Sequence, residues 1–320
     1  MKNVLKIVAL VLALTLIAVL AVSPIPVAGA EELADVIPTF EAVELSPVAT
    51  PVDLGQDTPY APHTDGYSED GMSYRDETLY VQVKGFRYFN TDILVTYVQV
   101  ADGSQLRAAG NGRFPSNSTT RAVNLAKREK AVLAINGDYI VHMNTGYSVR
   151  NGKVLRERYN DTAAHDYDAL LVDTNGDFTI ITQMDGDRIK AWNETHEIAH
   201  AFTFGPALVV DGVKNEYYPI KDHVPKKRTQ RMAIGQLAEK TYVIVTTDGP
   251  DDKNSTGLTM SELADVFVAL GAKQAYNLDG GSSSWLVLNN TMLNGRHGSK
   301  HRPIADIIYF VTAAPEGGVQ

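Results

Sequence analysis

Leu79–Phe89 reads LYVQVKGFRYF and Asp92–Val100 reads DILVTYVQV, with Asn90-Thr91 between them. Both runs alternate apolar and polar residues and are rich in Val, Tyr and Phe, the pattern of strands with one buried face. The short polar break makes them a β-hairpin, and the same grammar recurs downstream. Asn151-Gly152 separates two short strands within Gly146–Leu155, and that dipeptide is the strongest two-residue hairpin signal. Asn175-Gly176 likewise separates Asp168–Val172 from Phe178–Gln183. Further strands are expected at Ala131–Ile135, Phe202–Val210, Met232–Leu237, Tyr242–Thr247, Gln274–Leu278, Ser284–Leu288 and Ile304–Val311. Thr119–Lys130 has helical spacing at Val123, Leu125 and Ala126. A firmer helix opens at Thr259 as N-cap with Glu262 as its capping-box partner, continues through Leu263, Val266, Phe267 and Leu270, and stops at Gly271. Many hairpins and few helices indicate an α+β domain of mixed, largely antiparallel sheets, forming a single compact domain over residues 76–314 with a tail at 315–320.

The residues before this domain have a different character. Lys2 and Lys6 precede an uncharged apolar run from Ile7 to Val22, a Pro-containing break and Ala28-Gly29-Ala30. A positive start, an apolar middle and small residues at the end make residues 1–30 a secretory signal peptide or N-terminal anchor. The run is 16 residues, short of the roughly 20 that cross a bilayer comfortably, so no stable membrane span is expected after cleavage. Residues 31–75 hold ten acids and five prolines and, before Arg75, no Lys or Arg. That composition reads as an acidic linker.

The 320 residues carry a formal charge of −9, and nearly all of it comes from this acidic stretch. After Tyr74 there are 27 basic and 28 acidic residues, so the domain itself is almost neutral. No basic footprint for nucleic acid is expected, and an anionic substrate is not disfavoured. The chain has no cysteine, which excludes disulfides, thiolate metal sites and cysteine nucleophiles.

Chemistry-bearing residues cluster where strands end. Asn277-Leu278-Asp279-Gly280-Gly281-Ser282-Ser283-Ser284 offers an amide, a carboxylate, a sharp turn with free N–H groups and three hydroxyls. Asp248-Gly249 ends another strand, and Asp248, Asp251, Asp252 and Asn254 have a spacing that hints at calcium without the full twelve-residue loop. No cofactor is otherwise required by the sequence. Asn136-Gly137-Asp138-Tyr139, Phe204-Gly205-Pro206 and Arg231-Met232-Ala233-Ile234-Gly235 complete the set, each with an ordinary reading as a turn, a bend or an edge charge.

In this order the five clusters resemble the phosphodiester glycosidase family. The matching features are an NG-x-[FY] turn at Asn136–Tyr139, an FGP-x-L-x-x-x-G strand at Phe204–Gly212 and an R-x-A-I-G strand at Arg231–Gly235. A DG…S-x-G-[LM]-T-x-x-E-L-A segment spans Asp248–Ala264, and LGA-x-x-A-x-NLDGG-x-S spans Leu270–Ser283. Asp138 departs from the small residue expected there, and Asp187–His200 reads as an insertion. The resemblance implies hydrolysis of a sugar-1-phosphodiester at the glycosidic bond, on cell-wall or exopolysaccharide glycans outside the cytoplasm. Asp248 and Asp279 are then candidate base or nucleophile and oxocarbenium stabiliser, with Glu262 a third acid that its capping position also explains. Arg231 is the candidate phosphate ligand, assisted by Gly280, Gly281, Ser282 and Ser283, while Asn136, Asp138 and Asn277 face the sugar.

Two other readings use the same chain. A domain of this kind could bind anionic extracellular glycans without cutting them. His196-Glu197-Ile198-Ala199-His200 formally matches the H-E-x-x-H of a zinc metalloprotease, with Glu216 as a nominal third ligand. Against the latter, a strand is expected two residues later, where a long helix is needed.

Overall fold

The computed structural model describes residues 30–48, 53, 59–113, 118–218, 225–250, 253–295 and 300–315. Apart from Ala30, the expected leader lies outside the described residues. So does the tail apart from Pro315.

The opening hairpin forms as β2 (Leu79–Tyr88) and β3 (Thr91–Val100), flanked by β1 (Ser73–Arg75). Its turn is Phe89-Asn90, one residue earlier than expected, and both residues have positive φ (50° and 53°). A two-residue turn of that hand matches the twist of the paired strands. These strands belong to an eight-stranded sheet ordered β1-β2-β3-β14-β13-β15-β11-β12, whose other members are β11 (Ala207–Val210), β12 (Val213–Lys214), β13 (Met232–Ala238), β14 (Thr241–Thr247) and β15 (Gln274–Asn277). A five-stranded sheet, β7-β6-β10-β8-β9, holds β6 (Gly146–Arg150), β7 (Lys153–Arg158), β8 (Asp168–Asp173), β9 (Phe178–Ile181) and β10 (Ile198–Phe204). A second, β17-β16-β5-β18-β4, holds β4 (Leu106–Gly110), β5 (Leu133–Asn136), β16 (Leu286–Leu288), β17 (Thr291–Met292) and β18 (Asp306–Phe310). Every ladder among the described residues is antiparallel, and helices are few.

Alternation along the strands decides which layer each side chain enters. Val98, Ile234, Ile244, Leu133, Ile308, Leu170 and Phe202 point into one core shared by all three sheets. Their immediate neighbours point outward, under one helix per sheet. Ile93, Val95, Ala233, Val243 and Val245 pack beneath α4 (Met260–Ala269). Ala134, Ile307 and Tyr309 pack beneath α2 (Ala122–Arg128), and Ala169, Leu171 and Ala201 beneath α3 (Gly186–Asn193). Both faces of the strands are thus apolar, and the three sheets form one domain.

Three expectations change. Residues 31–75 are not wholly a linker. A short helix α1 (Ala30–Ala34) starts the described chain, Leu33 is buried against α4, Phe40 stacks on Tyr97 at 4.5 Å, and the Tyr97 hydroxyl donates to Pro38 O at 2.6 Å. Glu32, Asp35, Glu41 and Glu44 remain exposed, so the acids coat an arm whose sparse apolar residues anchor it. Tyr74 in β1 is fully buried. Second, Phe202–Val210 is not one strand. Gly205 with φ 77° and Pro206 without an N–H divide it into β10 and β11, which join different sheets. Third, α3 ends before the H-E-x-x-H stretch. His196 stacks on Trp192 with ring centroids 4.6 Å apart, while His200 lies inside β10. The His200 Nδ1 accepts from Asn151 N, and Nε2 lies 3.1 Å from Leu106 O. Burial pulls this imidazole down to about 3. The two histidines therefore sit in different elements with separate partners, and the metalloprotease reading falls.

Candidate active site

Three strand ends converge at one place. β15 ends at Asn277 and delivers Leu278-Asp279, followed by a 3-10 turn at Gly281–Ser283. β5 ends at Asn136 and delivers Gly137-Asp138-Tyr139. The approach to β18 delivers Arg302 and then Asp306. Asn136 joins two of these: its Nδ2 donates to Asp279 O at 2.7 Å, and its Oδ1 accepts from Trp285 N at 3.0 Å. Gly137 N donates to Asp306 O at 3.0 Å, which ties in the third.

Asp279 and Arg302 form an ion pair at 2.9 Å, their side chains 16% and 43% exposed. Arg302 Nε donates to Ser283 Oγ, and its guanidinium lies 5.3 Å from the Tyr139 ring centroid. The Tyr139 ring in turn packs on His142 at 4.2 Å. Burial raises the Asp279 carboxyl above its usual range, with Ser283 and Arg302 opposing. These groups head a cleft of about 680 Å³ walled by Tyr139, His142, Asn144, Thr145, Arg158, Asp161, Asp166, Tyr167 and Phe204.

A smaller cavity continues inward past Asp279 to Asp138 and Asp306. Arg150 bridges these two acids: Nη2 lies 2.8 Å from Asp138 Oδ1 and 2.9 Å from Asp306 Oδ2. Its guanidinium also stacks 4.1 Å from the Phe202 ring centroid and donates to Ala201 O. Asp138 Oδ2 accepts from Thr203 N at 3.0 Å. Two buried carboxyls thus share one buried cation. Burial holds the Asp306 carboxyl well above its usual range, Arg150 opposing while Asp138 and Asp279 add to the rise. Gly137 fits here because it lacks a side chain; a Cβ would lie 2.5 Å from Asp306 Oδ2.

Of the residues singled out in the sequence, Asn136, Asp138, Asp279 and Ser283 line this cavity. Gly280, Gly281 and Ser282 shape the turn beside it, and Ser282 O accepts from Arg302 N at 2.8 Å. Arg231, Asp248 and Asp279 do emerge at the same edge of the large sheet, since β13 lies between β14 and β15. Even so, the Arg231 side chain turns into the protein, donating to Leu258 O at 2.9 Å and Lys227 O at 2.7 Å. Burial lowers it to about 10. Arg231 is not among the residues lining either cavity, whereas Arg302 lines both.

Asp248 is 9% exposed, accepts from Gly295 N at 2.9 Å and lines neither cavity. Glu262 closes the α4 capping box with Thr259 and pairs with Arg228, so its structural role accounts for it. Asn277 Nδ2 donates to Gly205 O at 2.8 Å, holding the bend between β10 and β11 beside Phe204 of the cleft wall, while Asn277 itself lines neither cavity. Asp251 and Asp252 lie outside the described residues. Among those described, no three His, Asp or Glu side chains gather as a metal site.

Arg302, Asp306, His142 and Arg150 were not among the sequence candidates, and Tyr139 entered only as the aromatic end of the Asn136–Tyr139 turn. No spacing rule ties Arg302 to an acid 23 positions earlier. The available signal was an Asp at the head of an otherwise apolar closing strand, Asp306-Ile307-Ile308-Tyr309-Phe310.

The family model described as phosphodiester glycosidase matches residues 129–311, which contain every residue of this site. The SPbeta prophage-derived uncharacterized protein YomE of Bacillus subtilis (strain 168) is 25% identical over 211 residues, 61% of this chain; the match spans only 30% of that protein's own length. The zebrafish N-acetylglucosamine-1-phosphodiester alpha-N-acetylglucosaminidase catalytic domain, auto-inhibited by its pro-peptide, superposes with a TM-score of 0.56 at 15% identity, over 79% of this chain and 87% of that one. A hypothetical protein from Synechocystis gives 0.52 at 15% identity, over 74% of this chain and 62% of that one. These two share the fold. With the family match running through more than half the sequence, the chain belongs to the phosphodiester glycosidase family.

Proposed function

We propose that the protein is an extracytoplasmic hydrolase that cleaves the glycosidic bond of a sugar-1-phosphodiester in a cell-wall or exopolysaccharide glycan. The observation that carries this reading is the Asp279–Arg302 pair at the head of a cleft of about 680 Å³. The guanidinium has five N–H donors, and those not used by Asp279, Ser283 and Tyr139 are available to a substrate phosphate. The departing phosphomonoester has a second pKa of about 6 and needs little protonation, so neutralising its charge matters more than donating a proton. Asp279 faces the anomeric carbon as base or nucleophile, and Asp306 behind it is the second carboxyl that glycoside cleavage ordinarily uses. The sugar lies against Tyr139 and Phe204, with Asn144, Thr145, Asp161 and Asp166 facing its hydroxyls. The signal-like leader supports export.

The test is turnover of a panel of α-sugar-1-phosphodiesters with nitrophenyl or nucleotide leaving groups, with and without chelator. Asp279→Asn should lower kcat at least about 10³-fold while the melting temperature holds. Arg302→Ala should lower kcat/KM by about 10²-fold or more through loss of its charge-assisted bonds. Absence of product from every phosphodiester would sink the hydrolase and leave a glycan-binding domain. Amino-terminal sequencing of secreted protein tests export, and retention of the mature chain in the cytoplasm would refute it.

A further inference from the structure

A second groove, of about 460 Å³, adjoins the catalytic cavity and shares Val141, Ala305 and Asp306 with it. It runs between the outer edge of β4 and the β6–β7 hairpin, two strands at the rims of different sheets. An open strand edge usually invites a peptide to add as a further strand. Here that edge is already engaged. Ala108 N donates to Asn151 Oδ1 at 3.1 Å, Asn151 Nδ2 returns a bond to Ala108 O at 2.8 Å, and Gly110 O accepts from Arg128 at 2.7 Å.

What the groove does offer is charge. Arg113 and Lys153 both line it, both are exposed, and neither makes an ion pair among the described residues. Val154, 48% exposed, adds an apolar surface beside them. Two exposed cations flanking an apolar patch fit an anionic sugar unit better than a peptide.

We propose that this groove binds a second phosphate of a polyanionic glycan, next along the chain from the phosphodiester cleaved at Asp279. The substrate is then a chain of glycosyl phosphates and not an isolated sugar-1-phosphodiester. The location of the cleaved bond rests on the function proposed above; binding in the groove does not.

The experiment compares full-length wild type with the Arg113→Ser/Lys153→Ser double variant on two probes. One is a nitrophenyl sugar-1-phosphodiester with a single phosphate, the other an oligomer of four glycosyl phosphate repeats. Turnover and equilibrium binding are both measured. The double variant should raise KM and Kd for the oligomer about tenfold, as two charge-assisted contacts are lost. Its kcat/KM on the single-phosphate probe should stay unchanged. The oligomer difference should vanish near 1 M salt, where the Debye length is about 3 Å. Unchanged oligomer binding, or equal losses on both probes, would overturn the proposal. If neither probe is turned over yet oligomer binding still weakens in the variant, the hydrolase reading fails and the groove stands.

Discussion

Replacing Arg150 with methionine keeps much of the side-chain volume and removes the cation between two buried acids. The Arg150 side chain is 7% exposed, those of Asp138 and Asp306 0% and 4%. In the variant Asp138 keeps its bond from Thr203 N, while Asp306 loses both guanidinium contacts, at 2.9 and 3.2 Å. Removing one partner of a buried ion pair costs about 3–5 kcal/mol, because the remaining charge stays desolvated. For a domain of this size that corresponds to a fall of about 6–20 °C in melting temperature, at about 2–4 °C per kcal/mol.

The sign of the pH dependence separates this mechanism from a simple loss of packing. Without Arg150 the Asp306 carboxyl, already raised by burial, loses the cation that opposed the rise. A raised carboxyl contributes stability that is present below the unfolded pKa and is lost as pH rises through the folded one. The variant's deficit should therefore be largest near pH 8 and shrink toward about pH 5 as Asp306 takes up its proton. Adding Asp306→Asn should flatten the dependence by removing that titrating group. Urea unfolding of all three proteins at both pH values measures it. A deficit below about 1 kcal/mol, or one equal at both pH values, would refute a buried trio held by charge.

Four other outcomes test separate parts of the structure. Gly137→Ala places a methyl 2.5 Å from Asp306 Oδ2 and should cost about 1–3 kcal/mol by overpacking; thermal melting with no change would contradict the close approach. Arg231→Met should lower stability by about 1–3 kcal/mol through orphaned carbonyls while the folded fraction keeps its KM, and a selective rise in KM would restore Arg231 as a phosphate ligand. The Asp279→Asn assay and the two-probe comparison of the cationic groove complete the set.

Local grammar carried much of the fold into the sequence. Asn151-Gly152 makes its hairpin with φ of 49° and 70°, and the Thr259–Glu262 capping box opens α4 as expected. These signals are contained within a few residues, so no distant contact can overrule them. The break at Gly205-Pro206 was harder, because apolar residues on both sides let one buried strand and two look alike. The acidic arm hid for a compositional reason: its charges outnumber the few apolar residues that dock it. At the site, Asp279 and Asn136 were legible as polar ends of apolar strands. Arg302 and Asp306 were not, because their partnerships arise when two sheets meet at the cleft. Arg231 shows the converse, an arginine at the right sheet edge whose side chain turns to backbone carbonyls instead.

The lining of the cleft is unevenly sourced. Asp279 and Arg302 come from the ends of the large sheet and of the sheet containing β18, whereas nearly all the rest of the cleft wall comes from residues 139–167, one continuous run. Exchange of that run between relatives would present a new cleft surface to an unchanged acid and guanidinium. Specificity can therefore drift as a cassette, and members of the family with different glycans are expected to differ most between Tyr139 and Tyr167 and least at the strand ends that hold Asp279.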